Sequence, residues 1–213
     1  MNEARGTGSA TLNGVGSRTD SPAVEAPPPR RRADAERNER AIVEAAAGVI
    51  WRAPNATIGE IAAASGLGRA TIYRHFASRD QLLRAIARHG FDQTTSALRE
   101  ARPDDGTAVE ALLRMVDATV QPGNVCMLLL RDLPEPVASD AEKAEMVAPV
   151  VQALTRGVAS GELRADLDIA WTVRAIGALY EAAMQALADG SATQEQAARL
   201  MAGTFLDGAL ARD

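Results

Sequence analysis

The sequence is poor in cysteine, in aromatic residues and in long apolar runs. Of its 213 residues only Cys126 is a cysteine, and aromatic residues make up 3% of the chain. A single cysteine excludes an intramolecular disulfide and is typical of a protein of the reducing cytoplasm. No segment approaches the roughly 20 apolar residues that a membrane-spanning helix needs. The N-terminus, rich in Gly, Ser and Thr, has no apolar signal core.

The chain also lacks the side-chain combinations on which most catalytic and metal sites depend. His75 and His89 are its only histidines, and no Cys/His cluster has the spacing of a zinc site. Cys126 has no basic neighbour before Arg131 to activate its thiol, so we predict that it packs in the core. No glycine-rich phosphate loop follows a strand. We therefore predict that the protein is not an enzyme and holds no metal and no cofactor.

Apolar residues are plentiful, at 46% of the chain, and few of them are aromatic. An aliphatic, alanine-rich core favours helices over sheets, and strand-like alternation never extends beyond a few residues. The sequence predicts an all-α protein of about nine helices. Two are short and lie within 57–79, and the others are expected at 34–52, 79–101, 107–121, 125–132, 140–159, 167–188 and 193–211. Pro149 should kink or split the helix that contains it.

The charges divide the chain into a basic first part and an acidic second part. Residues 30–102 carry 13 basic and 8 acidic side chains, whereas residues 103–213 carry 8 basic and 17 acidic ones. The net charge of −5 therefore does not exclude a DNA-binding protein, because binding depends on local basic surface. The acidic second part argues against a protein that coats DNA, which would need basic surface throughout.

The stretch from Thr57 to Arg79 predicts a helix, a tight turn and a second helix. Ile58 and Ile61 fall at helical spacing before the turn, and Ile72 and Phe76 do so after it. Between the two helices, Gly66 can adopt a positive φ and reverse the chain within about three residues. Helix starts are marked by two expected capping boxes, Thr57 with Glu60 and Ser78 with Gln81.

The second helix of this stretch carries polar donors around one apolar pair, which suits phosphate oxygens and base edges. The segment reads TIGEIAAASGLGRATIYRHFASRDQLL. In its Ile-Ala pair, its glycine turn, Tyr73-x-His75-Phe76 and Ser78-Arg79-Asp80-x-Leu82, it resembles the helix-turn-helix motif of the TetR family of bacterial transcriptional regulators. The resemblance covers roughly residues 36–90, and the rest of the chain agrees with the family in length and helical content.

The resemblance implies a set of residues that contact DNA, with the second helix entering the major groove. Arg69 and Thr71 are best placed for bases, and Arg74 suits a base or a phosphate. The whole expected set is Thr57, Arg69, Ala70, Thr71, Tyr73, Arg74, His75 and Arg79, with Tyr73, His75, Thr57 and Arg79 assigned to phosphates. Tyr73 has the alternative role of packing against the first helix of the motif. Gly68 departs from the family pattern, in which a hydroxyl residue is frequent, so one phosphate contact is expected to be missing.

Composition and motif together predict three regions. Residues 1–33 should be a disordered tail, because they are rich in Gly, Ser, Thr and Pro and low in bulky apolar residues. Arg30, Arg31 and Arg32 at its end are either a solvated junction or an arm that contacts the DNA backbone or minor groove. Residues 34–80 form the expected DNA-binding head, and residues 81–213 form the expected effector-binding and dimerisation domain.

The helix 79–101 should be the rigid link between these two domains and the carrier of a conformational signal. His89 on it is interpreted as a surface or packing residue, with ligand contact as the alternative. In the second domain the resemblance implies a small apolar or amphipathic effector. Its expected lining is Met115, Thr119, Met127, Trp171, Tyr180 and Met184, with Val173 and Ala175, although a set at helical spacing is also typical of a plain core.

The last two expected helices are apolar over more than half their circumference, which predicts a second partner for them. A heptad-like seam runs through Ile169, Val173, Ile176 and Tyr180. With Leu200 and Phe205, these residues are the expected interface of a homodimer with a four-helix contact about a two-fold axis. A fully intramolecular bundle is the alternative.

The sequence therefore predicts a homodimeric, sequence-specific transcriptional regulator of the TetR type. We expect a repressor that binds a palindromic double-stranded operator and is released by a small apolar effector. The alternative is a DNA-binding regulator without a small-molecule ligand, controlled by a protein partner or by its own abundance.

Overall fold

A computed structural model describes residues 29–53, 55–121, 133 and 135–210, with the side chains of 29–33 and of Ala35 left aside. Four predictions lie outside the described residues: the nature of the tail before Pro29, the contacts of Arg30 to Arg32, the helix at 125–132, and the roles of Cys126 and Met127.

The described part of the chain is all-α, as predicted. It contains eight helices: α1 (Pro29–Arg52), α2 (Ile58–Ser65), α3 (Arg69–His75), α4 (Arg79–Glu100), α5 (Ala108–Thr119), α6 (Asp140–Ser160), α7 (Ile169–Ala188) and α8 (Gln194–Ala209). Within these residues the one β-type pairing is an isolated bridge between Leu163 and Leu210. Among the described helices, none has both the length and the apolarity that a bilayer span requires.

The first core joins α1, α2, α3 and the start of α4. Its largest fully buried side chains include Ile50, Ile61, Ile72, Leu82 and Ile86. The predicted apolar stripe of α1 faces this core, and Leu67 packs against its edge at the corner of the turn. We call this unit the head.

Two further cores lie among α4 to α8. One includes Leu98, Leu112, Leu154 and Leu163, and the other includes Val120, Met184, Ala197 and Met201. We call this unit the body. On α4, Ile86 is the last residue that belongs to the head core, and Leu98 is the first that belongs to the body core. Helix α4 is therefore part of both units.

Three arginines of α4 tie it to the acidic chain that follows. Arg84 pairs with Glu135 at 2.9 Å, Arg88 with Glu142 at 2.7 Å and Arg99 with Glu145 at 2.5 Å. Leu133 also packs against the head core. The charge asymmetry of the sequence thus becomes a set of contacts between the linking helix and α6 with its preceding loop.

The structure corrects three local predictions. Helix α1 begins at Pro29, inside the predicted tail, because proline is favoured at the first helical position and arginine, alanine and glutamate are good helix formers. Helix α6 is not split at Pro149, and Val150, Ala153 and Leu154 anchor its second half in the core. Ser78 caps α4 as expected, but the Gln81 side chain accepts from the Ala77 N–H, so no capping box closes there.

Candidate nucleic-acid interface and inner cavity

The start of α2 is fixed by the predicted capping box. The Thr57 hydroxyl accepts from the Glu60 N–H at 3.2 Å, and the Glu60 carboxylate accepts from the Thr57 N–H at 2.7 Å. The Thr57 hydroxyl also donates to the Glu60 carboxylate at 2.8 Å. The two hydrogen bonds that this carboxylate accepts, first the one from the Thr57 backbone and then the one from its hydroxyl, hold the pKa of Glu60 below its ordinary value. Thr57, an expected phosphate contact, therefore also positions the first helix of the motif.

The turn between α2 and α3 depends on Gly66, as predicted. Gly66 ends α2 with a φ of 71°, in the left-handed region. Gly68 then precedes α3 with extended backbone and without a side-chain cap. The short α3 can therefore leave α2 at an angle while Ile72 and Phe76 stay in the head core.

The outer face of α3 presents the polar residues singled out in the sequence. Arg69, Ala70, Tyr73 and Arg74 are exposed, whereas Thr71 and His75 are half-buried. Tyr73 is 51% exposed, which favours its phosphate role over its alternative role as a packing residue. The His75 ring lies 6.4 Å from that of Phe76, which is buried in the head core.

Arg69 lies back over the start of α2. Its guanidinium carbon is 3.1 Å from the point where a Cβ on Gly59 would stand, so a glycine at 59 leaves room for it. The side chain is nevertheless exposed and can swing outward from this position.

Arg79 has a structural contact that the sequence did not predict. Its Nε–H donates to the Ala56 carbonyl at 3.0 Å, which joins the start of α4 to the loop before α2. Because the side chain is half-buried, part of its role is to hold the motif together. A phosphate contact by Arg79 stays a prediction beside this role.

An inner cavity of about 180 Å³ lies among α4, α5, α6, α7 and α8, and it opens to the surface beside the exposed Gly177 and Glu181. Its lining is mainly apolar and includes Glu181 as its one charged residue among those described. The lining consists of Thr94, Leu98, Thr119, Met146, Val147, Val150, Val173, Ile176, Gly177, Tyr180, Glu181 and Met201. A neighbouring space of about 40 Å³ is lined by residues that include Leu112, Met115 and Phe205.

The predicted effector residues divide between this cavity and other places. Thr119, Val173 and Tyr180 line the cavity, and Met115 lines the smaller space. Met184 is fully buried in the α7–α8 core, so its placement in the pocket was wrong. Trp171 is 70% exposed on the outer side of α7, and with Ala175 it lines a groove between α7 and α8 rather than the inner cavity. The periodicity marked α7 as apolar but did not indicate which face turned inward.

Thr94 and Leu98 of α4 were missed because that helix was interpreted as a link between domains. Their spacing from buried Phe91, three and seven residues on, places them on the same helix face. That spacing was the available signal.

The residues of the seam that was predicted as the dimer contact face the interior of the protomer. Ile169, Val173 and Ile176 are partly buried against the body core, and Tyr180 packs beside Met184 and Val120. Phe205 also packs inward, whereas Leu200 is 62% exposed. The apolar residues on the outward face of α7 and α8 are Trp171, Ala178 and Leu200, and the exposed Arg174 lies between the first two. Trp171, Arg174 and Ala178 line a groove of about 790 Å³ that Thr204 and Gly208 border, and Leu200 lies one helical turn before Thr204.

Comparison with known proteins identifies the class of protein that this geometry serves. The sequence model of one protein family, described as bacterial regulatory proteins of the tetR family, matches residues 42–86. The HTH-type transcriptional repressor LfrR of Mycolicibacterium smegmatis is 35% identical over 159 residues, which cover 73% of this chain and 82% of that protein. The HTH-type transcriptional regulator NfxB of Pseudomonas aeruginosa is 24% identical over 176 residues, or 81% of this chain and 94% of that one.

Solved structures agree with these matches. The crystal structure of LfrR in complex with proflavine superposes with a TM-score of 0.65 at 30% identity, covering 83% of this chain and 99% of that one. The protein is thus a DNA-binding transcriptional regulator and not an enzyme. The chain belongs to the TetR family, as its motif predicted.

Proposed function

We propose that the protein is a homodimeric repressor that acts in the cytoplasm and leaves its operator when a small molecule enters the inner cavity. The observation that carries this proposal is the exposed face of α3, with Arg69, Tyr73 and Arg74, on a helix-turn-helix whose other face is buried. The relatives named above include a transcriptional repressor that covers most of this chain, which supports the repressor role.

The head reads DNA by a division of roles. Arg69 and Thr71 contact bases, and Arg74 contacts a base or a phosphate. The residues that contact phosphates are Thr57, Tyr73, His75 and Arg79. Ala70 lies at the surface beside them. An exposed arginine that is free to swing outward suits bidentate contact with a guanine. The division into 34–80 and 81–213 stays a proposal, except that Leu82, Leu83 and Ile86 at the start of α4 pack in the head core and so belong to the head as well.

The dimer forms through the outward apolar face of α7 and α8. A two-fold axis there sets the two heads about one helical turn apart, roughly 34 Å, over the two halves of a palindromic operator. This face replaces the inward-facing seam as the proposed interface, and Leu200 is common to both versions.

The effector is a compact, mainly apolar molecule, and a positive charge on it would be favoured. The cavity supplies apolar walls and, at Glu181, an acidic residue. LfrR has been crystallised with proflavine, a planar aromatic cation, so the same class of ligand is a reasonable probe for this chain. A coupling of about 1–3 kcal/mol between ligand and DNA changes operator affinity by roughly five- to 150-fold, enough for a switch.

A gel-shift experiment with the promoter DNA beside the protein's own coding region tests the proposal. We expect a sequence-specific shift at moderate salt that weakens as salt rises and is reversed by proflavine. No specific shift under any condition would contradict the operator-binding role. A shift that proflavine and related planar cations leave unchanged would instead favour a regulator without a small-molecule ligand.

A further inference from the structure

One polar group in the cavity has no hydrogen-bond partner. Thr94 is 5% exposed, it lines the cavity, and its Oγ1 makes no hydrogen bond. A buried hydroxyl without a partner destabilises a protein, and such groups are therefore uncommon among buried side chains. Its position in the wall of a cavity suggests that the missing partner belongs to a ligand.

Neighbouring threonines show that the helix itself could have satisfied this hydroxyl. The Thr95 Oγ1 donates to the Phe91 carbonyl at 2.8 Å, and the Thr119 Oγ1 donates to the Met115 carbonyl at 2.7 Å. Both bonds run back one turn along the helix, which is the usual local solution for threonine. Thr119 lines the same cavity, so burial there does not prevent that bond.

We propose that Thr94 Oγ1 is the polar anchor of the effector site. The ligand it selects has a flat apolar body that fills the space between Val150, Val173 and Ile176, with one N–H or O–H group at the α4 wall. An aromatic amine fits this description, and a positive charge on it would be attracted by Glu181. This inference rests on the effector site proposed above and names the ligand group that the site recognises.

The location of the anchor links recognition to release. Thr94 lies on α4, and the same helix contributes Leu82 and Ile86 to the head core. A hydrogen bond at Thr94 therefore acts on the helix that positions the head, whereas apolar contacts with α6 and α7 act on the body alone. Ligands that lack the hydrogen-bonding group should fill the cavity but release DNA less completely.

Proflavine fluorescence titrations of the full-length chain test this inference, with Thr94→Val, Thr94→Ser and Thr95→Val compared with the wild type. Valine keeps the shape of threonine and removes only the hydroxyl. We expect Thr94→Val to weaken proflavine binding roughly five- to ten-fold, the effect of one lost hydrogen bond. Thr94→Ser should keep most of the affinity, and Thr95→Val should change it less than two-fold because Thr95 makes the same helix-internal bond but does not line the cavity.

Acridine, which has the same ring system without the exocyclic amines, provides a second comparison. Thr94→Val should change acridine binding little. Equal losses for Thr94→Val and Thr95→Val, or equal losses for the two ligands, would overturn the role of Thr94 while leaving the effector site in place. Absence of proflavine binding to a wild-type protein that still shifts its operator would overturn both the anchor and the effector proposal. Thermal unfolding should show Thr94→Val to be at least as stable as the wild type, which excludes misfolding as the cause of a loss.

Discussion

Gly66 and Gly48 are two glycines at which a Cβ would meet no atom within 4 Å, yet they differ in backbone conformation. Gly66 has a φ of 71°, whereas Gly48 lies within the regular helix α1. Any cost of adding a methyl group at Gly66 is therefore backbone strain and not crowding.

We expect Gly66→Ala to lower the free energy of unfolding by about 1–2 kcal/mol, the strain of a left-handed alanine. Gly48→Ala should raise it by about 0.5–1 kcal/mol, because alanine is the better helix former. Urea denaturation followed by circular dichroism measures both. If the two variants shifted stability in the same direction, the turn would not depend on the conformation of Gly66.

Replacing Arg69 and replacing Arg79 by alanine should affect DNA binding and stability in different ways. Arg69→Ala should remove about 1–3 kcal/mol of discrimination at one base position and leave the melting temperature unchanged, because the side chain is exposed. Arg79→Ala should weaken binding to all sequences alike. It should also destabilise the fold by about 1 kcal/mol, since its bond to the Ala56 carbonyl is lost.

Binding to an operator library and thermal melts of each variant separate these effects. Arg74→Ala is the control for the thermal melts alone, because that arginine is exposed on the same helix as Arg69 and its loss should leave the melting temperature unchanged. An Arg79→Ala protein with unchanged stability would show that its contact with Ala56 contributes nothing.

At this scale the sequence was most informative where a local rule determines the outcome. The Thr57–Glu60 capping box and the turn at Gly66 were predicted because each depends on residues within a few positions. The Arg79 bond to Ala56 joins residues 23 positions apart, so no local pattern indicated it. Thr94 was missed for a related reason, since an unpartnered hydroxyl can be found only when all its neighbours are known.

Among the helices, α4 and α6 are held together by the pair of Arg88 and Glu142. The pKa of Glu142 is lowered from its ordinary 4.5 to about 2, first by the hydrogen bond from the Ser139 backbone and then by that from the Arg88 side chain. Arg88 also lies over the Phe91 ring, 5.4 Å from its centroid. This cluster fixes the middle of the linking helix against the body.

The ion pair of Arg88 and Glu142 should make the free energy of unfolding depend on pH. Because the pKa of Glu142 is lower in the folded protein, its contribution is complete above about pH 4.5 and is lost as the pH falls towards 2. Glu142→Gln keeps a capping acceptor and loses the charge. It should melt below the wild type at pH 7, and the gap in melting temperature should shrink between pH 4.5 and 2.

Glu110→Gln is the matched control, because Glu110 fills the same capping role at the start of α5. Thermal melts at pH 7, 5, 4 and 3 measure the gap. A gap that stays constant down to pH 3, or is as large for Glu110→Gln, would contradict the role of the Arg88 pair.

Apart from the start of α1, the boundaries of the described long helices were predicted to within a few residues, because caps and breakers are local signals. The direction in which α7 faces was not. An apolar arc wider than half the circumference fits a core on either side, and only the positions of α4, α5 and α6 determine that Ile169 and Val173 turn inward. For that physical reason the predicted seam contributes to the protomer core, and the place of the dimer contact stays a prediction.

For the whole molecule, the outward face of α7 and α8 carries the proposed dimer. Leu200→Glu should weaken self-association roughly 100-fold or more, because a buried carboxylate without a partner costs several kcal/mol and a two-fold contact contains it twice. Sedimentation velocity at micromolar concentration should find single chains, with operator affinity lowered as well.

Leu113→Glu is the comparison, since Leu113 is also exposed but lies on α5. That variant should remain a dimer. If both variants dimerised normally, the subunits would meet elsewhere and the assignment of this face would have to be abandoned.

The sequence predicted the class of the whole molecule well and its interior poorly. A single motif of some 30 residues identified the family, because DNA recognition requires particular side chains at particular spacings. An apolar cavity has no such requirement, since many combinations of Val, Ile and Met leave similar spaces.

Helix α4 takes part in two cores, from Leu82 to Ile86 in the head and from Leu98 in the body. A hybrid regulator that combines this head with a foreign sensor should therefore be spliced between Ile86 and Leu98 rather than at residue 80. A junction at residue 80 would remove Leu82, Leu83 and Ile86 from the core of the transplanted head. The same three apolar side chains would then be exposed to solvent on the body.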